Sequence, residues 1–256
     1  MHHTTRELRL AAALVEAADT LSDSFGVEDY LQRLADHCVD LLAAQAAGVM
    51  LIDGGRTVLL TGSSAHEDMA IDLLQAQHSG GPCLDTYGSG RAVPPVSIRA
   101  ARAASRWPEF TERALRHDVV TTFAVPLRQS DRLFGALNVF VPTLLGEPSS
   151  GSELPMAQIL ADSASLGLQN NTVHSQCRTL AGQLQQALSS RVRIEQAKGM
   201  LAERWNTRAD HAFMALRQYA RRRRLPLDRV ASAVIERSAD DTELRREFDG
   251  TAGGPS

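Results

Sequence analysis

Basic side chains are concentrated near the C-terminal end of this chain, between residues 178 and 237. This segment contains thirteen Lys and Arg residues and five Asp and Glu residues, whereas the remainder contains fourteen basic and twenty-five acidic residues. The formal net charge of −3 therefore conceals a cationic segment joined to an acidic one. A localised cluster of positive charge is typical of a surface that binds a polyanion, through contacts that weaken as salt rises.

Three further residue types could carry chemistry, and each has a simpler interpretation. The cysteines Cys38, Cys83 and Cys177 are odd in number and far apart, which predicts neither a disulfide framework nor a metal site. Cys83 follows Gly-Pro and is a candidate redox-sensitive or ligand-attaching thiol. Without a nearby His or second Cys to depress its pKa, a small residue in a packed pocket is the favoured interpretation.

The histidines do not show the spacing of a metal or catalytic site. His66, His78 and His117 are widely separated and lack a paired imidazole or carboxylate, so we expect surface or pocket-rim histidines. Asp53 precedes Gly-Gly and is interpreted as a turn residue. We predict no catalytic residue, no metal site and no enzyme activity.

The basic residues lie in a segment whose apolar spacing predicts three short helices. The first has a stripe that includes Leu184, Leu188 and Leu201, with the basic residues on its solvated flank. Thr207 is expected to cap the second helix, and Pro226 to occupy the first position of the third. The candidate contacts to nucleic acid are Arg191, Arg193, Lys198, Gly199, Arg217, Arg221 and Arg222. Tyr219 is an additional candidate for stacking on a base.

These residues also carry a resemblance to a known family. The runs SRVRIEQAKGML (190–201) and AFMALRQYARRRRLPLDRVASAVI (212–235) resemble an ANTAR domain, the three-helix RNA-binding module of bacterial transcription antitermination regulators. The resemblance implies binding to stem-loops of a nascent leader transcript. The residues that match the family pattern are Arg191, Ile194, Glu195, Ala197, Lys198, Gly199, Ala212, Phe213, Leu216, Arg217 and Ala220.

The N-terminal part of the chain alternates helical and strand patterns. Gly54-Gly55 between two short apolar runs is a strong hairpin signal, and 78–95 is rich in Gly and Pro and is predicted to be irregular. The order predicts an antiparallel sheet flanked by helices on one side, in an α+β fold. The predicted helices cover 6–21, 27–44, 65–77 and 107–117, and the predicted strands cover 46–53, 56–63, 119–129 and 132–142.

This order resembles a GAF domain over roughly residues 20–145. The resemblance rests on GPCLDTYGSGRAVPPVSI, WPEF and FAVPLRQSDRLFGALNVF. It implies a small-molecule pocket bordered by the Gly-Pro-Cys loop, with Cys83 and Tyr87 as possible lining residues. The ligand, and any cofactor, stay unknown, because GAF pockets differ in what they bind.

A long helix is predicted between the two parts, from Leu154 to Leu201, with an interruption near Asn170-Asn171. Its apolar stripe is suited to pairing with a second copy, which predicts a homodimer. The predicted domains are an N-terminal helix at 1–20, a GAF-like sensor at 21–145, a linker and connecting helix at 146–180, an ANTAR-like unit at 181–237, and an acidic, disordered tail at 238–256.

Together these patterns predict a cytoplasmic bacterial regulator that binds RNA, with a GAF-like domain sensing a ligand or a partner. No run of about 18 apolar residues could span a membrane, and the N-terminus lacks the apolar core of a secretory signal. Two alternatives stay open. A DNA-binding transcription factor also has small helices with a basic face, and a GAF-fold redox enzyme, similar to free-methionine sulfoxide reductases, could be dimerised by the C-terminal helices.

Overall fold

The computed structural model describes residues 2–20, 25–143, 152–240 and 242–246. The chain divides into two compact units, residues 1–174 and 175–256. The start of the predicted linker, up to residue 151, and most of the predicted disordered tail lie outside the described residues.

The N-terminal unit is built on a five-stranded antiparallel sheet with the strand order β2-β1-β5-β4-β3. The predicted hairpin at Gly54-Gly55 is confirmed, a second hairpin turns at Ser130-Asp131, and both Gly54 and Ser130 adopt positive φ values. Strand β5 lies at the centre of the sheet, between β1 and β4, and both faces of the sheet are covered there. The strands are β1 (Ala46–Asp53), β2 (Arg56–Gly62), β3 (Val93–Ser97), β4 (Thr121–Gln129) and β5 (Arg132–Val141).

Helices cover both faces of the sheet, so the prediction of helices on one side was wrong. Alternate side chains of each strand point to opposite faces. Val49 and Phe123 pack with the helices α1 (His2–Ala18), α2 (Val27–Leu42) and the start of α7 (Glu153–Arg204). On the other face, side chains such as Met50 and Phe140 pack with α3 (Glu67–Gln75), α4 (Pro82–Ser89), α5 (Ile98–Ala103) and α6 (Pro108–Arg116).

The segment predicted to be an irregular loop contains a helix and a strand. Pro82 occupies the first turn of α4, where a missing N–H costs no hydrogen bond. Strand β3 lies at the edge of the sheet, and its register with β4 shifts between Val93 and Val96. Pro94 and Pro95 fall within this irregularity, as expected for proline in an edge strand. Proline and glycine were therefore misleading as loop signals here.

Helix α7 is continuous over 52 residues, so the predicted interruption near Asn170-Asn171 is absent. Its first turns belong to the N-terminal core, where Leu160, Ala164 and Leu168 are buried. Gly167 allows this packing, because a Cβ there would lie 2.1 Å from the Tyr30 hydroxyl oxygen. Residues 175–188, in contrast, are exposed on all sides of the helix. A fully exposed helical stretch as short as 175–188 has little stability of its own. It therefore relies on the packed residues at the two ends of α7.

Candidate nucleic-acid interface

The C-terminal unit packs three helices around one small core, as predicted. These are the end of α7, α8 (Ala209–Arg223) and α9 (Leu227–Ile235). The predicted caps are shifted, because Arg208 and not Thr207 is the N-cap residue of α8, and Pro226 precedes α9 as its N-cap residue. The fully or nearly buried core residues are Ala197, Leu201, Trp205, Ala212, Ala215, Leu216, Ala220, Val230, Ala231, Val234 and Leu244.

The predicted core stripe of the first helix extended too far towards the N-terminus. Leu184 and Leu188 are about 60% exposed, at 58% and 61%, and they are not part of the three-helix core. Trp205, directly after the last residue of α7, was missed although its size and its position four residues after Leu201 are typical of a core residue. Asn206 follows in the left-handed region, at φ 49°, as is common just after a helix end.

Arg217 and Arg221 lie on the solvent side of α8. They are four residues apart and therefore one above the other on the helix, opposite the stripe that buries Ala212 and Leu216. Within the described residues, neither arginine pairs with an acidic side chain. Two adjacent unpaired guanidinium groups can each bind a phosphate with several N–H donors.

The predicted basic residues of α7 are divided between its two flanks. Arg191 and Lys198 are seven residues apart, which places them on one flank, while Arg193 lies about 140° around the helix from Lys198 and about 160° from Arg191. Arg191 is exposed. Lys198 forms an ion pair with Glu195, and Arg193 Nη2 lies 3.6 Å from Asp228 Oδ2 on α9. The candidate residues of α7 therefore do not form one continuous basic face.

Gly199 is exposed on α7, where a Cβ would meet no atom within 4 Å. Packing within this chain therefore does not require glycine at this position. Glycine in a helix interior costs about 1 kcal/mol relative to alanine. Close approach of another molecule to this side of α7 is one physical reason for glycine here, because a Cβ would stand in its way.

The four-arginine run at the end of α8 contains residues in different environments. Arg221 points to solvent, and Arg222 is also exposed. Arg223 forms an ion pair with Glu243, and its Cζ lies 5.8 Å from the centroid of the Tyr219 ring. Arg224 ends the helix in the left-handed region, at φ 54°. Glu243 belongs to residues 242–246, which are helical and pack Leu244 into the core, so the prediction of a disordered tail from residue 238 was wrong for this segment.

Cys83 belongs to α4 and is fully buried between this helix and the sheet. It packs with Met50, Leu74 and Ala136, and Tyr87 packs against the same cluster from a partly buried position. The backbone N–H of Cys83 donates a 2.7 Å hydrogen bond to Gln77 Oε1. Burial raises the pKa of the Cys83 thiol to about 12, so the nucleophilic thiolate is not populated near neutral pH.

Two of the histidines considered in the sequence, His78 and His117, have structural partners. His117 Nε2 lies 3.0 Å from Asp72 Oδ2, and Arg113 contacts the other oxygen of Asp72. Among residues 2–20, 25–143, 152–240 and 242–246, no group of three or more His, Cys, Asp or Glu side chains is placed to hold a metal ion. Over the same residues, no helix has the length and hydropathy of a membrane span.

Comparison with known proteins supports the division into two parts. A family model described as a GAF domain matches residues 26–169, and one described as an ANTAR domain matches residues 182–235. No curated protein sequence matches the chain.

Solved structures are similar to the N-terminal part at low sequence identity. The GAF domain of an Acinetobacter phosphoenolpyruvate-protein phosphotransferase is 13% identical, with a TM-score of 0.46, over 64% of this chain and 94% of that chain. The phycoerythrobilin-bound GAF domain of a cyanobacterial phytochrome is 12% identical, with a TM-score of 0.47, over 65% and 97%. Reduced fRMsr of Staphylococcus aureus is 15% identical, with a TM-score of 0.43, over 62% and 94%.

These similarities carry no information about the ligand or activity of this chain. The match at residues 26–169, in contrast, covers more than half of the sequence, and the ANTAR match covers the helices that carry the candidate arginines. The chain therefore belongs to the GAF domain family and carries an ANTAR domain after its GAF domain.

Proposed function

We propose that this chain is an RNA-binding transcription antitermination regulator. A GAF domain and an ANTAR domain in one chain support a sensor-regulated RNA-binding regulator and point away from an enzyme. The observation that carries the proposal is the pair Arg217 and Arg221, which are exposed and unpaired within the described residues of the ANTAR match. In this proposal the ANTAR domain binds stem-loops in nascent mRNA and prevents a terminator hairpin from forming.

Phosphate contacts would provide most of the affinity, and loop bases would provide the selectivity. Arg191, Arg217 and Arg221 are the proposed primary phosphate contacts, because each is exposed and has no acidic partner within the described part of the chain. Lys198 and Arg193 must exchange their partners Glu195 and Asp228 for phosphate, which reduces their net contribution. Looped RNA exposes base edges that the A-form major groove hides.

A homodimer formed through α7 would present two RNA-binding units together. Exposed apolar residues recur every seven positions on α7, at Ile159, Leu166, Val173 and Leu180. Cys177 and Leu184 follow Val173 and Leu180 by four residues each, which completes the three-and-four spacing of a coiled-coil seam. Pairing with a second copy would bury these side chains.

The GAF domain is the proposed input, and it would respond to a ligand or a partner protein. Cys83 and Tyr87 lie on the sheet face proposed for the ligand, but Cys83 now fills a packed cluster. Ligand entry would therefore require a change in that packing, which would strain α4 and the sheet beneath it. Since nascent bacterial transcripts are made in the cytoplasm, we place the protein there.

The test is a selection of RNA hairpins from a library with randomised loops. We expect the full chain to enrich a defined set of loops, and to bind the best hairpin more tightly than a DNA duplex of equal charge at the same salt. Tighter binding to the duplex would overturn the proposal in favour of a DNA-binding factor. Recovery of only random loops would overturn sequence-selective RNA recognition.

A further inference from the structure

The C-terminal unit contains a short segment that lies outside the ANTAR match. After α9, the chain turns back through hydrogen bonds from Ser238 N–H and Ala239 N–H to Ala233 O. Residues 242–246 are helical, and Asp240 Oδ1 accepts hydrogen bonds from the first N–H groups of this turn. Leu244 is 1% exposed and packs into the three-helix core. The segment is therefore anchored to the unit by both capping and packing.

This segment and α8 form a cleft with a volume of about 270 Å³, close to the lower end of small-ligand pockets at about 300 Å³. Three of its five lining residues are arginines, and one is aromatic. The lining residues are Tyr219, Arg222, Arg223, Glu243 and Arg246.

The cleft presents a positioned aromatic and guanidinium pair. Glu243 forms an ion pair with Arg223, whose Cζ lies 5.8 Å from the Tyr219 ring centroid, within the range of a cation–π contact. The hydrogen bond from Arg223 to Glu243 raises the pKa of the Arg223 guanidinium, which stays charged. Glu243 is thus a positioning residue for Arg223. Both planar groups are suited to stacking on a nucleobase.

We propose that this cleft binds one unstacked nucleotide of single-stranded RNA, with the base stacked on the Tyr219–Arg223 pair and the phosphate held by Arg246. This subsite rests on the proposed function and deepens it. It adds to the exposed arginines of α7 and α8 a place where a single loop base is held. Because two of its residues come from outside the ANTAR match, the subsite is a property of this chain's C-terminal segment.

Stacking and charge act on different parts of the same nucleotide. Every base has a π face, so stacking on Tyr219 provides affinity with little dependence on base identity. Arg246 is an exposed residue of the cleft lining and supplies a separate cation. A double-stranded RNA cannot use the cleft, because its bases are paired and stacked within the helix.

The experiment uses the full chain and the hairpin that it enriches most from the randomised-loop library. We expect Tyr219→Leu to weaken binding about tenfold and Tyr219→Phe, which keeps the ring, to bind like wild type. We expect Arg246→Ala to lower the salt dependence by about one phosphate contact. Arg245→Ala is the matched control, since Arg245 is the exposed neighbouring arginine that does not line the cleft.

A second measurement identifies the bound base. When 2-aminopurine replaces each loop base in turn, we expect one position to show stacking-dependent quenching with wild type and with Tyr219→Phe, but not with Tyr219→Leu. Thermal unfolding of each variant shows whether the fold is kept. If wild type enriches no hairpin, both proposals fail. If it enriches one and Tyr219→Leu and Arg246→Ala bind like Arg245→Ala, only the subsite is overturned.

Discussion

Arg221 is the basic residue at which a single substitution tests RNA binding most directly. Its side chain is exposed and makes no ion pair within the described residues, so Arg221→Ala removes a charge without breaking an internal contact. We expect affinity for the selected hairpin to fall about five- to tenfold at moderate salt. The slope of log affinity against log salt should fall by about one phosphate contact.

Arg9→Ala is the control for Arg221→Ala, because Arg9 is exposed on α1 of the N-terminal unit and the change removes the same charge. Equal effects of the two substitutions on affinity and on salt slope would show that Arg221 acts only through net charge, and not through a phosphate contact.

Gly199 allows stability and RNA binding to be separated. A Cβ at Gly199 or at Gly182 meets no atom within 4 Å, and both glycines lie inside α7. We expect Gly199→Ala and Gly182→Ala each to stabilise the protein by about 0.5–1 kcal/mol in urea unfolding. Only Gly199→Ala should weaken hairpin binding, because its new methyl group lies where RNA approaches. If both variants bind like wild type, Gly199 is not at the interface.

Asp72 gives a prediction for the pH dependence of stability. Partial burial acts to raise the pKa of Asp72, but hydrogen bonds from His117 and Arg113 outweigh it and lower the pKa below its ordinary value. Since the folded-state pKa is depressed, the contribution to stability is present above the ordinary pKa and is lost as pH falls through the folded value.

For Asp72→Asn we expect a loss of about 1 kcal/mol at pH 7, a modest value because the side chain is 38% exposed. The loss should shrink as pH falls below the ordinary aspartate pKa and through the lowered folded-state pKa of Asp72, because wild-type Asp72 then becomes protonated. Urea unfolding at pH 7 and over a series of acidic pH values is the measurement. A loss of the same size at every pH would show that the carboxylate charge does not stabilise the fold.

The candidate site was predictable from the sequence in its residue types, but only partly in its geometry. The charge imbalance and the spaced motif show where the RNA-binding unit lies in the chain, since both depend only on the order of residues. Whether Arg193 points to Asp228 or to solvent depends on how α7 and α9 pack, which no local pattern specifies. Glu243 is similarly remote from Arg223 in sequence, and the acidic segment around it is typical of a solvated tail.

Helices and strands with a strong apolar periodicity were predicted, whereas elements whose sequence also contains turn or loop residues were not. Helices such as α2 and α8 follow their apolar stripes, and the hairpins follow their turn residues. The helices on both faces were missed, although AAGVMLID in β1 is almost continuously apolar, as is typical of strands covered on both sides. Interpreting Pro82, Pro94 and Pro95 as loop residues ignored their allowed places at a helix start and a sheet edge.

The exposed seam of α7 predicts how the protein responds to a charge within it. Leu180 is 57% exposed and lies at a seven-residue position of the seam. We expect Leu180→Glu to convert a dimer to a monomer in sedimentation equilibrium, because two buried carboxylates would face each other. Gln185→Glu, on the outer side of the same exposed stretch, should leave the dimer intact.

Cys177 provides a second measurement on the same seam. It is exposed within one chain and lies at a core position of the proposed pair. In a parallel, in-register dimer, mild oxidation should link the two Cys177 side chains, and Leu180→Glu should prevent the link. A monomeric wild type at micromolar concentration, with no cross-link on oxidation, would remove the dimer proposal.

For the whole molecule, two RNA-binding units on one dimer predict an advantage for paired hairpins. When one unit is bound, the other meets its hairpin at a high effective concentration set by the RNA linker. We expect an RNA with two hairpins to bind wild type at least about tenfold more tightly than an RNA with one. Leu180→Glu should lose this gain while keeping its affinity for a single hairpin. Equal affinity of wild type for both RNAs would argue against simultaneous binding.

The unbroken backbone of α7 ties the angular setting of its last turns to the number of residues that precede them. Each residue added or removed within the exposed stretch 175–188 turns the α7 seam residues after it by about 100° around the helix axis relative to the seam residues before it. Insertions or deletions of one or two residues would therefore disrupt the alignment of the apolar seam far more than a change of seven residues, which nearly restores it. Natural length variation in this stretch should then occur in steps of seven residues.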